Sequence, residues 1–352
     1  CQAAEKTSAV VTVHPLATKA AEQAFKQGGN AVDAPVAAAL TRGVVDGFNS
    51  GIGGGCFMLI RKPDGTFVAI DGRETAPQKA SRDMFLHDGK ADPDLSRTGA
   101  LAIGVPGALA AYDLAIREHG NIDLAEHLGQ AAAIAEKGFA LDKAYLRRLG
   151  QAVKKLRQFP DSARIFLGPD GNAWPSGHSL KQPDLARSYR KIARHTADWF
   201  YRGPFALKTE EWMLANGGLI SRADLAAYKA RRREPVRSTY RGFEIVGFPP
   251  PSSGGVHVAQ ILNILETFDL RSMPPNSPRF VHHVAEAMRL AFADRAHWLG
   301  DADFAPVPKG LASKKYASEL ARRIHPDKAV SYTHLRAHET KANLVCRLLL
   351  EK

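Results

Sequence analysis

Cysteine is scarce in this chain: three in 352 residues, at Cys1, Cys56 and Cys346. That number and spacing give neither a disulfide framework nor a zinc-ligand pattern. Long apolar runs are missing as well. None approaches the roughly 20 residues that a bilayer-crossing helix needs, so no transmembrane segment is expected. Acid is the minority charge, with 36 Asp and Glu against 48 Lys and Arg, a net charge of +12 and a pI of about 9.6. A basic balance raises nucleic acid as a partner, and the excess is concentrated between Leu141 and His195, where twelve Lys and Arg face four Asp. No DNA- or RNA-binding motif accompanies it, and Arg147-Arg148, Lys154-Lys155 and Arg157 sit among leucines at helical spacing. A solvated helix face is the expectation, not a nucleic-acid groove. The charge speaks to solubility and to affinity for anionic surfaces. G-x-S-x-G is absent. His282 and Glu286 are four apart on one helix face, but without H-E-x-x-H spacing or a third ligand they predict no metal site.

What is present is a soluble globular composition, 45% hydrophobic and 24% charged, in a chain long enough for one large domain or two ordinary ones. The most informative stretch runs from Gly51 to Pro77, GIGGGCFMLIRKPDGTFVAIDGRETAP. It reads as a glycine-rich turn, a strand, a Pro63-Asp64-Gly65 turn and a second strand. In that turn Pro presets φ and Gly accepts positive φ. Strands joined so tightly pair antiparallel, so the Gly51–Gly55 run and the Arg73–Pro77 loop are expected at the same edge of the sheet.

The pair GIGGGCFMLI and DGRETAP closely resembles the large-subunit half of the γ-glutamyltranspeptidases, or glutathione hydrolases. GGNAVDA, LISRADLAAYKA, PPPSSGG and GDADF add to the resemblance, which runs continuously to about Ala329. It implies an α+β fold, the large-subunit half of the four-layer αββα sandwich of N-terminal-nucleophile hydrolases. It also implies that Arg73 holds the α-carboxylate of a γ-glutamyl substrate. The residue type suits that task, because guanidinium is planar, always charged and meets a carboxylate with two parallel hydrogen bonds. Glu74 and Thr75 are expected to shape the loop, with Gly53, Gly54 and Gly55 supporting it. Ser252, Ser253, Gly254 and Gly255 follow three prolines and present backbone N–H groups at a helix start. They read either as an anion site or as a stiff turn that aims the helix. Two positions depart from the family pattern. Cys56 stands where a further glycine is usual, and Pro35 where alanine is usual. Proline is comfortable only in a first turn, so that helix is expected to start near Asp33.

Elsewhere, Val10, Val11 and Val13 predict a short strand ending before Pro15. A helix over Leu16–Phe25 is expected to stop at Gly28-Gly29. Gly99–Ala111 reads as a strand turning at Pro106-Gly107 into a helix over Leu109–Glu118, followed by a helix over Leu124–Lys137. The Glu118-His119 and Glu126-His127 pairs read as exposed helix residues. Asp161–Pro183 reads as an irregular connection. Ser221 to Asp224 reads as a capping-box helix start, and Glu234–Phe248 as a second hairpin turning at Tyr240-Arg241-Gly242. A helix from Val256 to Phe268 follows. A longer one over Ser277–Leu299 has Val281, Val284, Ala285, Met288, Ala291 and Phe292 as its apolar stripe.

Residues 1–329 are thus expected to form the large-subunit region as one domain, incomplete without its small subunit, and residues 330–352 a non-native tail. Thr333-His334 superficially echoes the family's cleavage site, yet arrives too early for Thr333 to be the nucleophile. No catalytic residue is therefore expected within this chain, and the chain alone is expected to be inactive. In the intact enzyme a threonine freed by self-cleavage would attack, with its own α-amine as base. The expected substrates are glutathione and other γ-glutamyl amides, with water, amino acids or peptides as acceptors. No cofactor or metal is expected. Two readings compete: a cephalosporin or glutaryl acylase-like hydrolase of the same fold, and a non-catalytic γ-glutamyl-binding protein. The resemblance implies a periplasmic or secreted location. The chain opens without Met or signal peptide, as a processed chain or a fragment would. Cys1 as first residue permits a lipid anchor, and a cut made at that point accounts for it equally well.

Overall fold

Proline and glycine set the first boundaries, as their backbone restrictions require. Pro15 opens the first helix, α1 (Pro15–Lys26), and His14 Nδ1 accepts the Leu16 N–H at 3.1 Å. Gly28, at a φ of +89°, takes the left-handed conformation that ends it. The structure is a computed structural model describing residues 8–326 and 328–329. Cys1, Cys346, Thr333 and the expected tail lie outside the described residues. The chain divides into two units, Cys1–Cys56 with Asp71–Ala80 and Arg97–Arg231, and Phe57–Ile70 with Ser81–Ser96 and Arg232–Lys352.

The first unit is helical. After α1 comes α2 (Asp33–Val45), which starts at Asp33 and so keeps Pro35 in its first turn. Ala17, Ala20, Ala21 and Ala24 of α1 pack on Ala34, Ala37 and Ala38 of α2. Side chains this small let two helix backbones approach closely, as GGNAVDA and its alanine run suggested. Eight more helices follow: α3 (Ala108–His119), α4 (Leu124–Lys137), α5 (Lys143–Leu156), α6 (Pro160–Phe166), α7 (Pro183–His195), α8 (Asp198–Tyr201), α9 (Pro204–Ala215) and α10 (Arg222–Ala227). The α4 helix packs on both α2 and α7. Along α5 the basic residues Arg147, Arg148, Lys154 and Lys155 are exposed while Tyr145 and Leu149 are buried, as expected for a solvated face. The expected capping box opens α10: Ser221 Oγ accepts the Asp224 N–H at 3.2 Å, and Asp224 Oδ2 accepts the Ser221 N–H at 2.9 Å.

The second unit holds the second hairpin and the body of the first, Phe57–Ile70. Cys56–Arg61 and Phe67–Gly72 are neighbours in a sheet that Arg231–Arg233 extends to three strands. Their turn closes by a 2.8 Å bond from Lys62 N–H to Thr66 O, with Gly65 at a φ of +83°. Val236–Tyr240 pairs antiparallel with Phe243–Gly247, Tyr240 facing Phe243 across Arg241 and Gly242, whose φ values are +50° and +86°. Two consecutive positive φ angles make the primed turn that matches strand twist. The helices α11 (Gly254–Glu266), α12 (Pro278–Trp298) and α13 (Lys314–Ala321) enclose Ile264, Leu265, Ala287, Leu290, Leu320 and Ile324. Arg233 pairs with Asp303 of the GDADF segment at 2.7 Å.

Several local expectations fail, each for a physical reason. Val10–Val13 is not a strand; Val11 and Val13 are 95% and 71% exposed, with no ladder partner among the described residues. Gly99–Ala111 is a 3-10 turn over Ala100–Ala102 and a single bridge from Val105 to Thr75 rather than a strand. Asp161–Pro183 contains most of α6 and the strand Ser179–Leu180, which pairs antiparallel with Phe139–Ala140. The α11 helix starts two residues early, at Gly254. On α12 the buried face is His283, Glu286, Ala287, Leu290 and Ala291, while Val281, Met288 and Phe292 are exposed. Two polar residues hide that face from a hydrophobic pattern, and both are satisfied locally. His283 Nδ1 lies 2.8 Å from Arg279 O, and Glu286 pairs with Arg289 at 2.7 Å. His127, read as exposed, is fully buried beside Asp33.

Candidate functional site

Three segments distant in sequence interlock around Arg73, all within the first unit. The glycine run supplies its carbonyls and its lack of side chains. Gly54 O accepts two N–H groups, from Gly107 and Ala108, each at 3.0 Å. Those are the entry residues of α3, whose first N–H groups have no partner within the helix. The VPG segment is thus tied to GIGGG. Thr75 and Val105 exchange backbone bonds of 3.1 and 2.8 Å, tying it to the arginine loop as well.

Gly55 marks the closest approach. A Cβ there would stand 2.6 Å from Glu74 Oε2, 2.7 Å from Gly72 O and 2.9 Å from the Arg73 Cα. Only glycine lets the two segments meet at the sheet edge, as the hairpin geometry anticipated. The Glu74 carboxylate consequently lies over Gly54 and Gly55. Arg73 and Glu74 are both exposed, as are Gly53 and Gly55.

The backbone of Arg73 is held at both ends. Its N–H donates to Asp71 Oδ1 at 2.9 Å, and its carbonyl accepts the Tyr228 hydroxyl at 2.7 Å. Tyr228 stacks on Tyr201 with ring centroids 5.9 Å apart and planes 11° from parallel. The Tyr201 hydroxyl donates to Pro106 O at 3.0 Å and accepts the Ala110 N–H at 3.1 Å. Burial pushes both phenols up from their ordinary values, so both remain O–H donors across the physiological range. Five residues beyond Arg73, the Gln78 N–H donates to Asp224 Oδ1 at 2.8 Å. Burial alone would raise the Asp224 carboxyl, but the Ser221 and Gln78 hydrogen bonds outweigh it and hold it below the ordinary range. The LISRADLAAYKA segment therefore does more than start a helix. Its Tyr228 and Asp224 reach the arginine loop, a role that helix-entry reasoning missed although both residues stood in the motif.

Cys56, the departure from the family pattern, is no nucleophile. Burial first, then the Glu74 and Asp71 carboxylates, push its thiol up to about 12, against a hydrogen bond from Tyr112 that lowers it. The thiol stays neutral and fills space beside Gly72, where a Cβ would stand 3.3 Å from Sγ.

Ser252 to Gly255 belong to the second unit. There the Gly254 N–H donates to Ser252 Oγ at 3.2 Å and the Gly255 N–H to Phe248 O at 3.1 Å. A Cβ at Gly255 would fall 2.4 Å from Phe248 O, so this glycine is needed for the close turn into α11. Those contacts favour the stiff-turn reading. His282 and Glu286 make separate contacts, His282 Nε2 lying 2.8 Å from His325 O. Among the described residues, no three or more His, Cys, Asp or Glu are grouped to hold a metal ion, and no helix is long and apolar enough to cross a membrane.

The glutathione hydrolase proenzyme of Escherichia coli (strain K12) is 40% identical over 333 residues, covering 94% of this chain and 57% of that protein. The acylase ACY 1 proenzyme of Pseudomonas sp. (strain SE83) is 42% identical over 332 residues, covering 92% of this chain and 59% of that protein. The chain thus spans less than two thirds of the length of these relatives. The crystal structure of Helicobacter pylori γ-glutamyltranspeptidase superimposes with a TM-score of 0.91 at 36% identity, covering 96% of this chain and 99% of that one. The α+β fold is accordingly that of N-terminal-nucleophile hydrolases. The γ-glutamyltranspeptidase family profile matches residues 17–344, and the chain belongs to that family.

Proposed function

We propose that this chain supplies the substrate-carboxylate grip of a γ-glutamyltranspeptidase that cleaves glutathione and other γ-glutamyl amides. The observation that carries the reading is the mounting of Arg73: an exposed arginine whose backbone is bonded on both sides, at a glycine edge too tight for any side chain. A guanidinium so held offers two parallel N–H bonds to an α-carboxylate. Once the carboxylate is fixed, the γ-carbonyl stands at a set distance from it, which is how a remote charge orients a reacting centre.

The attacking group in this reading is a threonine hydroxyl exposed by self-cleavage, with the threonine's own amine as base. It is contributed by the remainder of the protein, its small subunit. The acyl group then passes through a threonyl ester to water, an amino acid or a peptide. The site of action is outside the cytoplasm, in the periplasm or beyond.

Sequence identity does not separate glutathione hydrolase from acylase, since relatives bearing those two names stand at 40% and 42%. The arginine does not separate them either, because a glutaryl amide keeps a carboxylate at the position of the γ-glutamyl α-carboxylate and lacks only the α-amino group. The test is turnover by the complete two-part protein of glutathione against a glutaryl amide. Preference for glutathione by about tenfold or more, the worth of recognising the α-ammonium that the glutaryl amide lacks, supports the reading. Preference for the glutaryl amide overturns it.

A further inference from the structure

The loop from Arg73 to Gln78 is clasped at both ends by one short segment of the same unit. Tyr228 holds the Arg73 carbonyl at 2.7 Å, and Asp224 holds the Gln78 N–H at 2.8 Å. Between these points the loop makes its backbone exchange with Val105. Tyr228 is itself immobilised. It stacks on Tyr201, and its hydroxyl lies where a Gly107 side chain would begin, 1.9 Å from an added Cβ. A tyrosine seated over an obligatory glycine and braced by a second, doubly bonded tyrosine has little rotamer freedom. A hydroxyl fixed in this way fixes the carbonyl that it bonds, and with it the Cα from which the guanidinium projects.

We infer that Tyr228 is a positioning residue for substrate recognition: by pinning the Arg73 main chain it sets where the guanidinium meets an α-carboxylate. The inference rests on the reading of Arg73 as the carboxylate grip. Tyr228 bonds the Arg73 backbone carbonyl, so its effect on the position of the guanidinium matters most where the substrate has a carboxylate to misplace. A residue with a merely structural role would lower all activities together.

That difference is the test. In the complete two-part protein, kcat and KM are measured for γ-glutamyl p-nitroanilide and for 4-aminobutyryl p-nitroanilide, which lacks only the α-carboxylate. Their ratio of kcat/KM is independent of the fraction of folded enzyme. Y228F keeps the ring and removes the hydroxyl. It is expected to cut the ratio by about 5- to 20-fold, mainly through KM for the γ-glutamyl substrate, the size of one lost hydrogen bond. R73A, run in parallel, is expected to collapse the ratio. If R73A collapses it and Y228F leaves it at the wild-type value, or lowers both substrates equally, the inference about Tyr228 fails and the arginine reading stands. If R73A leaves the ratio unchanged, the arginine reading fails and the inference fails with it. Should Y228F not accumulate, Y201F removes the two bonds that anchor the bracing ring and leaves the Tyr228 hydroxyl in place. It is judged by the same ratio, a reduced value supporting the inference and a wild-type value overturning it.

Discussion

The Asp33 carboxylate and the His127 ring face each other at 3.4 Å, both side chains wholly buried. Asp33 also accepts the backbone N–H groups of Asn30, Asn121 and Ile122, at 2.7, 3.0 and 3.0 Å. It thereby joins the α1–α2 turn to the α3–α4 turn. Burial pushes the carboxyl up, but these hydrogen bonds outweigh it and hold it below the ordinary range. D33A strands three part-buried N–H groups and leaves a void beside buried His127, and is expected to cost about 2 to 4 kcal/mol in urea unfolding. The sign of the pH effect follows from the lowered folded value. The stability Asp33 contributes is complete above the unfolded carboxyl pKa and is lost as pH falls through the folded one. The gap between wild type and D33N is therefore expected to be flat from neutrality to about pH 5 and to close below about pH 4. A gap that widens on acidification contradicts this.

Cys56 offers a direct check on the local electrostatics. With its thiol pushed up to about 12, it holds far less thiolate at pH 8 than a cysteine of ordinary pKa, roughly 8.5. Alkylation at Cys56, measured as the difference between wild type and C56S, is expected to be slow at pH 8 and still rising at pH 10. A rate that levels off by pH 9 contradicts the assignment.

The glycine edge makes a steric prediction. G55A drives a methyl group into the Glu74 carboxylate and the Gly72 carbonyl, at 2.6 and 2.7 Å. It is expected to destabilise by about 1 to 3 kcal/mol and to reduce γ-glutamyl turnover. G53A, with nothing within 4 Å of its added Cβ, is the control and is expected to be near neutral. Equal behaviour of the two variants in thermal unfolding would remove the packing argument.

Much of this arrangement is legible in the sequence. Pro63-Asp64-Gly65 and Tyr240-Arg241-Gly242 announced their hairpins because turn chemistry is local. Ser221 with Asp224 announced a helix start for the same reason, and Pro35 placed the start of α2. Part of what stayed hidden depended on partners far along the chain. His127 looked like a surface residue because its neighbour Asp33 is 94 positions away. The buried face of α12 was misread because Glu286 accepts from the Arg289 guanidinium and His283 donates to the Arg279 carbonyl, each one helical turn distant. Polarity on that face therefore carries no outward signal. Val10–Val13 has strand composition and no ladder to join among the described residues. Around Arg73, the motif singles out the arginine but not Tyr228 or Tyr201, since a tyrosine that bonds a distant carbonyl leaves no spacing pattern.

The most direct measurement is the KM for glutathione of the complete protein carrying R73A and, separately, R73K. A bidentate charged grip predicts that R73A raises KM by about a hundredfold or more. R73K recovers only part of that loss, because a single ammonium cannot reproduce the planar fork. A KM for R73A equal to that of the wild type would contradict the assignment of this arginine to the substrate carboxylate.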